Sequence, residues 1–180
     1  MNLESTIKKA SQKLKNNNIV SHVLDAQIIL ADIIGIKRES LITNNQINIS
    51  ETIIKKYDKA IKRRINHEPI AYIIEKKEFW SENFAVNNST LVPRPETELL
   101  IYKIVDIFKN KRINILDIGT GSGCILLSLL KELYNSRGMG IDISSRAIQT
   151  ARINSKNLNL VNRAKFRNFD LDRYNLGGYD

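Results

Sequence analysis

The sequence predicts an α/β chain in which a helical bundle is followed by a β-hairpin connector and an incomplete parallel βαβαβ sheet. Apolar residues recur at helical spacing up to about residue 65, and the spacing changes to alternation after Pro69. From Arg112 onward, short apolar segments alternate with helical ones. Strands that alternate with helices form a parallel sheet that binds ligands at its carboxyl edge. We therefore expect three parts: a helical domain at 1–68, the connector at 69–94 and the sheet domain at 95–180.

Three helices are expected in the first part. The segment 3–14 carries apolar residues every three to four positions, and Ser21 and Gly35 are suitable first and last residues for a second helix. Ser50 begins a third helix, whose apolar side includes Tyr57 and Ile61 and whose other side is basic over 55–64. This pattern is typical of a small bundle with solvated outer faces.

The connector is predicted because apolar and polar residues alternate after Pro69. AYIIE and KKEFW are read as strands, and SEN turns the chain into FAVN, so that 77–86 forms a hairpin. Pro95 suits the first turn of the helix that follows, and Glu96 and Glu98 suit its positive end.

The last part follows the order strand, glycine turn, helix, strand, helix, strand. The predicted strands are RINILDIG, GMGIDIS and RAKFRNFD, and the helices between them are GCILLSLLKEL and SSRAIQTARINSKN.

Composition excludes several classes of protein. A single cysteine, Cys124, rules out a disulfide framework and a cysteine-based metal cage, and the two histidines, His22 and His67, indicate no metal site. No apolar segment is long enough to span a bilayer, so we expect a cytoplasmic protein without a membrane partner. The net charge of +9 permits binding to nucleic acid but does not require it.

The stretch ILDIGTGSG carries the chemistry. Gly119, Gly121 and Gly123 follow a strand and open a helix, so backbone N–H groups could come close to a bound molecule. A dinucleotide fingerprint would place its third glycine where this chain has Cys124. Asp117 precedes the turn, where its carboxylate could meet an ammonium group, and Asp142 ends the next strand, where such folds bind ribose hydroxyls. The combination favours S-adenosylmethionine over a nicotinamide dinucleotide or an empty turn.

Three segments together carry a family resemblance: VPRPETELL at 92–100, ILDIGTGSGCILLSLL at 115–130 and GIDIS at 140–144. With the helical region, EFW and FAVN before them, the chain closely resembles the release factor glutamine methyltransferases, the HemK/PrmC family. The resemblance covers essentially the whole chain and implies a Rossmann-like methyltransferase domain.

The resemblance also implies a reaction and a partner. Such enzymes transfer the methyl group of S-adenosylmethionine to the glutamine of the GGQ motif in class 1 peptide chain release factors, which the helical domain helps to hold. Asp142 then takes the ribose, and Asp170 and Leu171 border the adenine, although family members often have an aromatic residue in place of Leu171. Arg94 and Glu96 lie near the cleft, as a clamp or as direct site residues. The cofactor turn comprises Gly119, Thr120, Gly121, Ser122 and Gly123.

The family's Asn-Pro-Pro-Tyr motif, which orients the target amide, is absent from these 180 residues. We therefore assign no catalytic residue and expect an N-terminal portion of such an enzyme, inactive by itself. Two alternatives stay open: an amino-methyltransferase of nucleic-acid bases, and a fragment that binds its partner or cofactor without catalysis. A fusion to a tRNA-modifying domain, known in the family, is a further expectation that no residue here indicates.

Overall fold

The computed structural model describes residues 2–43 and 49–170, and it divides into two compact units, 1–74 and 75–180. Both units have the predicted fold: helices alone in the first, and a parallel sheet with helices in the second. The predicted α/β class is therefore confirmed. Leu171, the segment GGYD and most of the predicted loop at 43–46 lie outside the described residues.

The first unit contains five helices among its described residues. They are α1 Leu3–Asn16, α2 His22–Ile34, α3 Arg38–Thr43, α4 Glu51–Ile65 and α5 Ile70–Ile73. The prediction of a strand at AYIIE, 71–75, was wrong, because its first three residues belong to the one-turn helix α5 and its last two form a turn. Pro69 begins this turn, and its carbonyl accepts hydrogen bonds from the N–H groups of Tyr72 and Ile73. Ile70 and Ile73, three residues apart, both pack on the helical core, and this contact favours the helix.

Two polar contacts fix the packing of α2 against α4. The Tyr57 hydroxyl donates to the carbonyl oxygen of Ala26 at 2.9 Å, and burial raises the pKa of Tyr57. The Arg64 guanidinium donates to the buried Asp25 carboxylate at 2.7 Å. Around these contacts lies the apolar core formed by residues such as Leu14, Leu30 and Ile61.

The second unit begins with the predicted hairpin, formed by the antiparallel strands β1 Lys76–Phe79 and β2 Glu82–Ala85. Phe79 and Phe84 are fully buried, with ring centroids 6.2 Å apart in an edge arrangement. Both rings belong to the same apolar cluster as Leu126 and Leu127. The hairpin, which we expected as a connector, is thus part of the core of the second unit.

The parallel sheet has the order β3-β4-β5 within the described part of the chain. Its strands are β3 Asn114–Ile118, β4 Arg137–Asp142 and β5 Ala164–Asn168, and they are joined by α7 Cys124–Glu132 and α8 Ser145–Asn157. A 3-10 turn, Pro95–Thr97, leads into α6 Glu98–Phe108 before the sheet. The predicted βαβαβ order is confirmed.

Close packing across β4 brings the glycine turn onto the sheet. A Cβ atom at Gly138 would lie 2.4 Å from the Leu126 side chain, and one at Gly140 would lie 2.6 Å from Thr120 Oγ1 and 2.7 Å from the Phe166 ring. Only glycine leaves room there for α7 and the turn to approach the strand. Gly138 and Gly140 therefore determine how closely α7 and the glycine turn approach β4.

Among the residues that the structure describes, no helix is both long enough and apolar enough to cross a membrane.

Candidate functional site

The glycine turn connects β3 to α7 at the carboxyl edge of the sheet. Gly119 and Gly121 have φ angles of 72° and 56°, which side chains rarely adopt, and no other atom lies within 3.8 Å of an added Cβ at either position. Gly123 differs, since a Cβ there would lie 3.1 Å from the Phe166 ring and 3.2 Å from Ala151. The first two glycines therefore border open space, whereas the third is required by internal packing.

The N–H groups of the turn form hydrogen bonds within the protein. Those of Gly119 and Thr120 donate to the carbonyl oxygen of Ile141 at 2.9 and 3.0 Å, and that of Gly123 donates to Thr120. The N–H of Gly121 donates to Asp142 Oδ2 at 2.9 Å. We had expected these donors to face a ligand, and the structure instead uses them to attach the turn to β4. These four N–H groups thus attach the turn to the protein, while Gly119 and Gly121 leave space for a ligand.

Asp142 is held at the end of β4 by two backbone donors. Besides Gly121, the N–H of Ser144 donates to Asp142 Oδ1 at 2.8 Å. A carboxylate has roughly four lone-pair sites, so each oxygen keeps capacity for a further donor. Asp142 is thus oriented while still able to accept hydrogen bonds from a diol.

Asp117 lies half-buried beside the turn. Its Oδ2 accepts a hydrogen bond from Thr120 Oγ1 at 2.7 Å. Burial raises the pKa of Asp117, and the neighbouring Asp142 charge adds to the rise, while the Thr120 hydrogen bond opposes it. A carboxylate in this setting favours a cationic neighbour. The side chains of Thr120 and Ser122 are both buried, and the Thr120 hydroxyl is used for the hydrogen bond to Asp117.

A cavity of about 370 Å³ lies next to Asp142 at the same edge of the sheet. Ile143, Asn168, Phe169 and Asp170 line it, and Ile143 is 80% exposed. The Asn168 side chain donates to the carbonyl oxygens of Asp142 and Ile143 at 2.9 and 2.8 Å. Of the two residues expected at the adenine, Asp170 lines this cavity and Leu171 lies outside the described residues. Sequence reasoning missed Ile143, although its place after Asp142 was a usable signal.

Asn154 on α8 is a second residue that sequence reasoning missed. It is 1% exposed, and its amide oxygen accepts from the N–H of Ala85 at 2.7 Å. Its Nδ2 donates to the carbonyl oxygens of Ala85 and Ser122 at 2.9 and 2.8 Å. One side chain therefore attaches both the hairpin and the glycine turn to α8.

Arg94 and Glu96, the two residues expected near the cleft, are exposed. Arg94 precedes the 3-10 turn that contains Glu96, and within the described residues neither side chain has a hydrogen bond or ion pair. The contact that fixes this segment comes from Glu98, whose carboxylate accepts from the N–H of Trp80 at 2.9 Å. Cys124 is buried at the start of α7, and burial raises its pKa to about 11, which excludes a reactive thiolate at neutral pH.

Comparison with known proteins matches both units. A model of the PrmC N-terminal domain matches residues 5–74, and a methyltransferase domain model matches residues 109–175. The release factor glutamine methyltransferase of Buchnera aphidicola subsp. Schizaphis graminum is 40% identical over 162 residues, which cover 90% of this chain and 58% of that protein. The chain thus resembles this relative along nine tenths of its own length.

Two further relatives are similar over a comparable share of this chain. The release factor glutamine methyltransferase of Bradyrhizobium diazoefficiens is 34% identical over 91% of this chain and 57% of that protein. A bifunctional methyltransferase of Rickettsia felis is 36% identical over 89% of this chain and 36% of that protein. The chain thus spans less than two thirds of the length of each family member compared.

Proposed function

We propose that this protein is an S-adenosylmethionine-dependent methyltransferase that modifies the glutamine of the GGQ motif in class 1 peptide chain release factors. The second unit holds the methyl donor, and the helical unit, 1–74, holds the protein substrate. Because release factors act in the cytoplasm, we propose that the protein acts there too. Sequence similarity to the named relatives supports the substrate, and the glycine turn supports the cofactor.

The observation that carries the cofactor assignment is the internal use of the turn's N–H groups. A pyrophosphate is bound by N–H groups aimed at it from the turn and the helix start. Here those of Gly119, Thr120, Gly121 and Gly123 are already bonded within the protein. S-adenosylmethionine has no phosphate and carries an ammonium and a ribose diol. The site therefore fits this cofactor better than a dinucleotide.

Each residue of the site then has a defined task. Asp142 accepts hydrogen bonds from the ribose hydroxyls, and Asp117 pairs with the α-ammonium group. Ile143 and Asp170 border the adenine, and we propose that Leu171 lies beside them. Thr120 and Ser122 act through the shape of the turn, and Gly119 and Gly121 leave room for the amino-acid part of the cofactor. When bound, the cofactor supplies an electrophilic methyl group.

Arg94 and Glu96 retain two proposed roles, as a clamp on the cleft or as residues that meet the substrate. Their exposure and lack of partners in the described structure support the second role. In the helical unit, a groove of about 510 Å³ lined in part by Ile7, Val23 and Leu41 is the proposed contact for the release factor. Replacement by lysine of the residue that corresponds to Val23 in a full-length relative is expected to raise the KM for release factor without changing the KM for cofactor.

Calorimetric titration tests the cofactor assignment. The chain is titrated with S-adenosylmethionine and, separately, with NAD, and only the first is expected to bind. Asp142→Asn should weaken binding at least about tenfold, since a hydrogen bond to a charged group contributes about 1.5–3 kcal/mol. Asp106→Asn removes an exposed acid from α6 and serves as the matched control. Equal binding of NAD, or an unchanged affinity for the Asp142 variant, would contradict the assignment.

A methyl-transfer assay tests the substrate. Radiolabelled S-adenosylmethionine is supplied with purified release factor or with DNA, to a full-length relative and to the 180-residue chain. We expect the relative to label release factor, and a GGQ-to-GGA release factor to remain unlabelled. The 180-residue chain, which has no Asn-Pro-Pro-Tyr motif, should show no comparable turnover. Labelling of DNA in preference to release factor would favour the nucleic-acid alternative.

A further inference from the structure

A basic cleft lies at the amino edge of the parallel sheet, at the opposite ends of the strands from the glycine turn. Its cavity of about 510 Å³ is lined by Asn110, Arg112, Tyr134, Asn135, Arg137 and Arg163. Arg112 comes two residues before β3, Arg137 begins β4 and Arg163 directly precedes β5. Because the strands are parallel, residues at their beginnings meet at one edge. Three arginines thus line one cavity that has no acidic residue among its described lining residues.

Arg163 is fixed by main-chain carbonyls. Its Nη1 donates to the carbonyl oxygens of Leu133 and Tyr134 at 3.1 and 3.0 Å, at the end of α7. These contacts hold the guanidinium in place but leave its positive charge uncompensated by any carboxylate in the described part of the chain. Partial burial lowers the pKa of Arg163, as expected for a cation that lacks a counter-charge. A guanidinium has five N–H donors, so Arg163 keeps donors for a ligand.

Arg112 and Arg137 are exposed, and neither forms an ion pair with any residue that the structure describes. Like charges that line one cavity repel each other, and a bound anion relieves that repulsion. Guanidinium groups match the oxygens of a phosphate in bidentate geometry. The cleft therefore has the charge and the donors for phosphate groups.

Tyr134 indicates which class of phosphate-bearing ligand fits the cleft. Tyr134 is 68% exposed, and Asn110 and Asn135 line the same basic cavity. An exposed aromatic ring among arginines is typical of surfaces that bind single-stranded nucleic acid, on which a base stacks while cations contact the backbone. A free phosphate or an acidic peptide would not use the ring.

We propose that this cleft binds single-stranded nucleic acid, with backbone phosphates on Arg112, Arg137 and Arg163 and a base stacked on Tyr134. The site is separate from the cofactor turn, so it does not depend on the function proposed above. The net charge of +9 favours the encounter with a polyanion.

Fluorescence anisotropy with a labelled twelve-nucleotide oligouridine tests this proposal. We expect the 180-residue chain to bind, with an affinity that falls as salt rises. The double variant Arg112→Gln, Arg137→Gln should reduce the slope of log Kd against log salt by about 1.4, since each lost phosphate contact on a single strand contributes about 0.7. Tyr134→Ala should weaken binding at least about fivefold and leave that slope unchanged.

The matched control is Lys55→Gln, Lys59→Gln, which removes two exposed charges from the basic side of α4. It is expected to leave both affinity and salt slope unchanged. An equal effect of both double variants would mean diffuse attraction to a basic protein and would overturn the proposal. So would a Tyr134→Ala variant that binds normally, or inorganic pyrophosphate that displaces the oligonucleotide equally well from the Tyr134→Ala variant and from the unaltered chain. Thermal melts monitored by circular dichroism verify that each variant is folded.

Discussion

Replacement of Asn154 by leucine is expected to destabilise the second unit strongly. Leucine has a similar volume but cannot form the three hydrogen bonds of the amide, at 2.7, 2.9 and 2.8 Å. The N–H and carbonyl of Ala85 and the carbonyl of Ser122 would each lose a partner. An unsatisfied buried polar group costs about 1–3 kcal/mol, and water can reach the half-buried Ala85, so we expect a loss of about 3–5 kcal/mol in the free energy of unfolding.

A loss of that size is a large part of the about 5–15 kcal/mol that stabilises a typical domain. Urea denaturation followed by tryptophan fluorescence measures it for the second unit alone. Trp80 is the single tryptophan of the sequence, and its Nε1 donates to Glu132 at 2.7 Å within that unit. The signal therefore reports on the hairpin and on α7.

Two further variants separate the hydrogen bonds from side effects. Asn157→Leu makes the same chemical change at an exposed position on the same helix, and it should change the free energy of unfolding by less than about 0.5 kcal/mol. Asn154→Asp keeps an acceptor for the Ala85 N–H but places a carboxylate oxygen against two carbonyl oxygens, so it should also be destabilising. A loss below about 1 kcal/mol for Asn154→Leu, or one equal to that of Asn157→Leu, would refute the proposed role of the amide.

Two other changes test the surroundings of the turn. Gly140→Ala would place a methyl group 2.6 Å from Thr120 Oγ1, and it should cost about 1–3 kcal/mol in the same urea assay; an unchanged midpoint would contradict the close packing. Asp117 has a raised pKa, so its ionised form is unfavourable in the folded protein, and stability contributed by this group increases as pH falls through that pKa. Asp117→Asn should therefore raise the Tm of the ligand-free chain at pH 7, and this increase in Tm should disappear in acid. The same variant should abolish the Tm increase caused by S-adenosylmethionine. A lower Tm at pH 7 would show that the carboxylate stabilises the fold.

Most of the elements could be predicted because their signals are local. The glycine turn, the helices on either side of it and the alternation of the hairpin each lie within about twenty residues. AYIIE failed because four apolar residues fit a strand and a helical turn equally well, and contact with the helical core decides between them. The helix α3 was missed for the same reason, since its six residues contain less than two turns of pattern.

The contacts that organise the site could not be predicted, because they join distant parts of the chain. Asn154 and Ala85 are 69 residues apart, and no spacing rule connects an asparagine on α8 with the edge of a hairpin. The direction of the N–H groups in the turn depends on the acceptors at Ile141 and Asp142 on the next strand. The basic cleft comes from three segments that lie far apart in the sequence, whereas the sequence indicated only 55–64 as a patch.

The parallel topology separates charge between the two edges of the sheet. Asp117, Asp142 and Asp170 lie at or just beyond the strand ends, and the arginines of the basic cleft lie at the strand beginnings. S-adenosylmethionine carries a net positive charge from its sulfonium and ammonium groups, so the carboxylates at one edge attract it, and the arginines at the other edge attract an anion. One sheet can therefore serve a cationic cofactor and an anionic ligand at the same time.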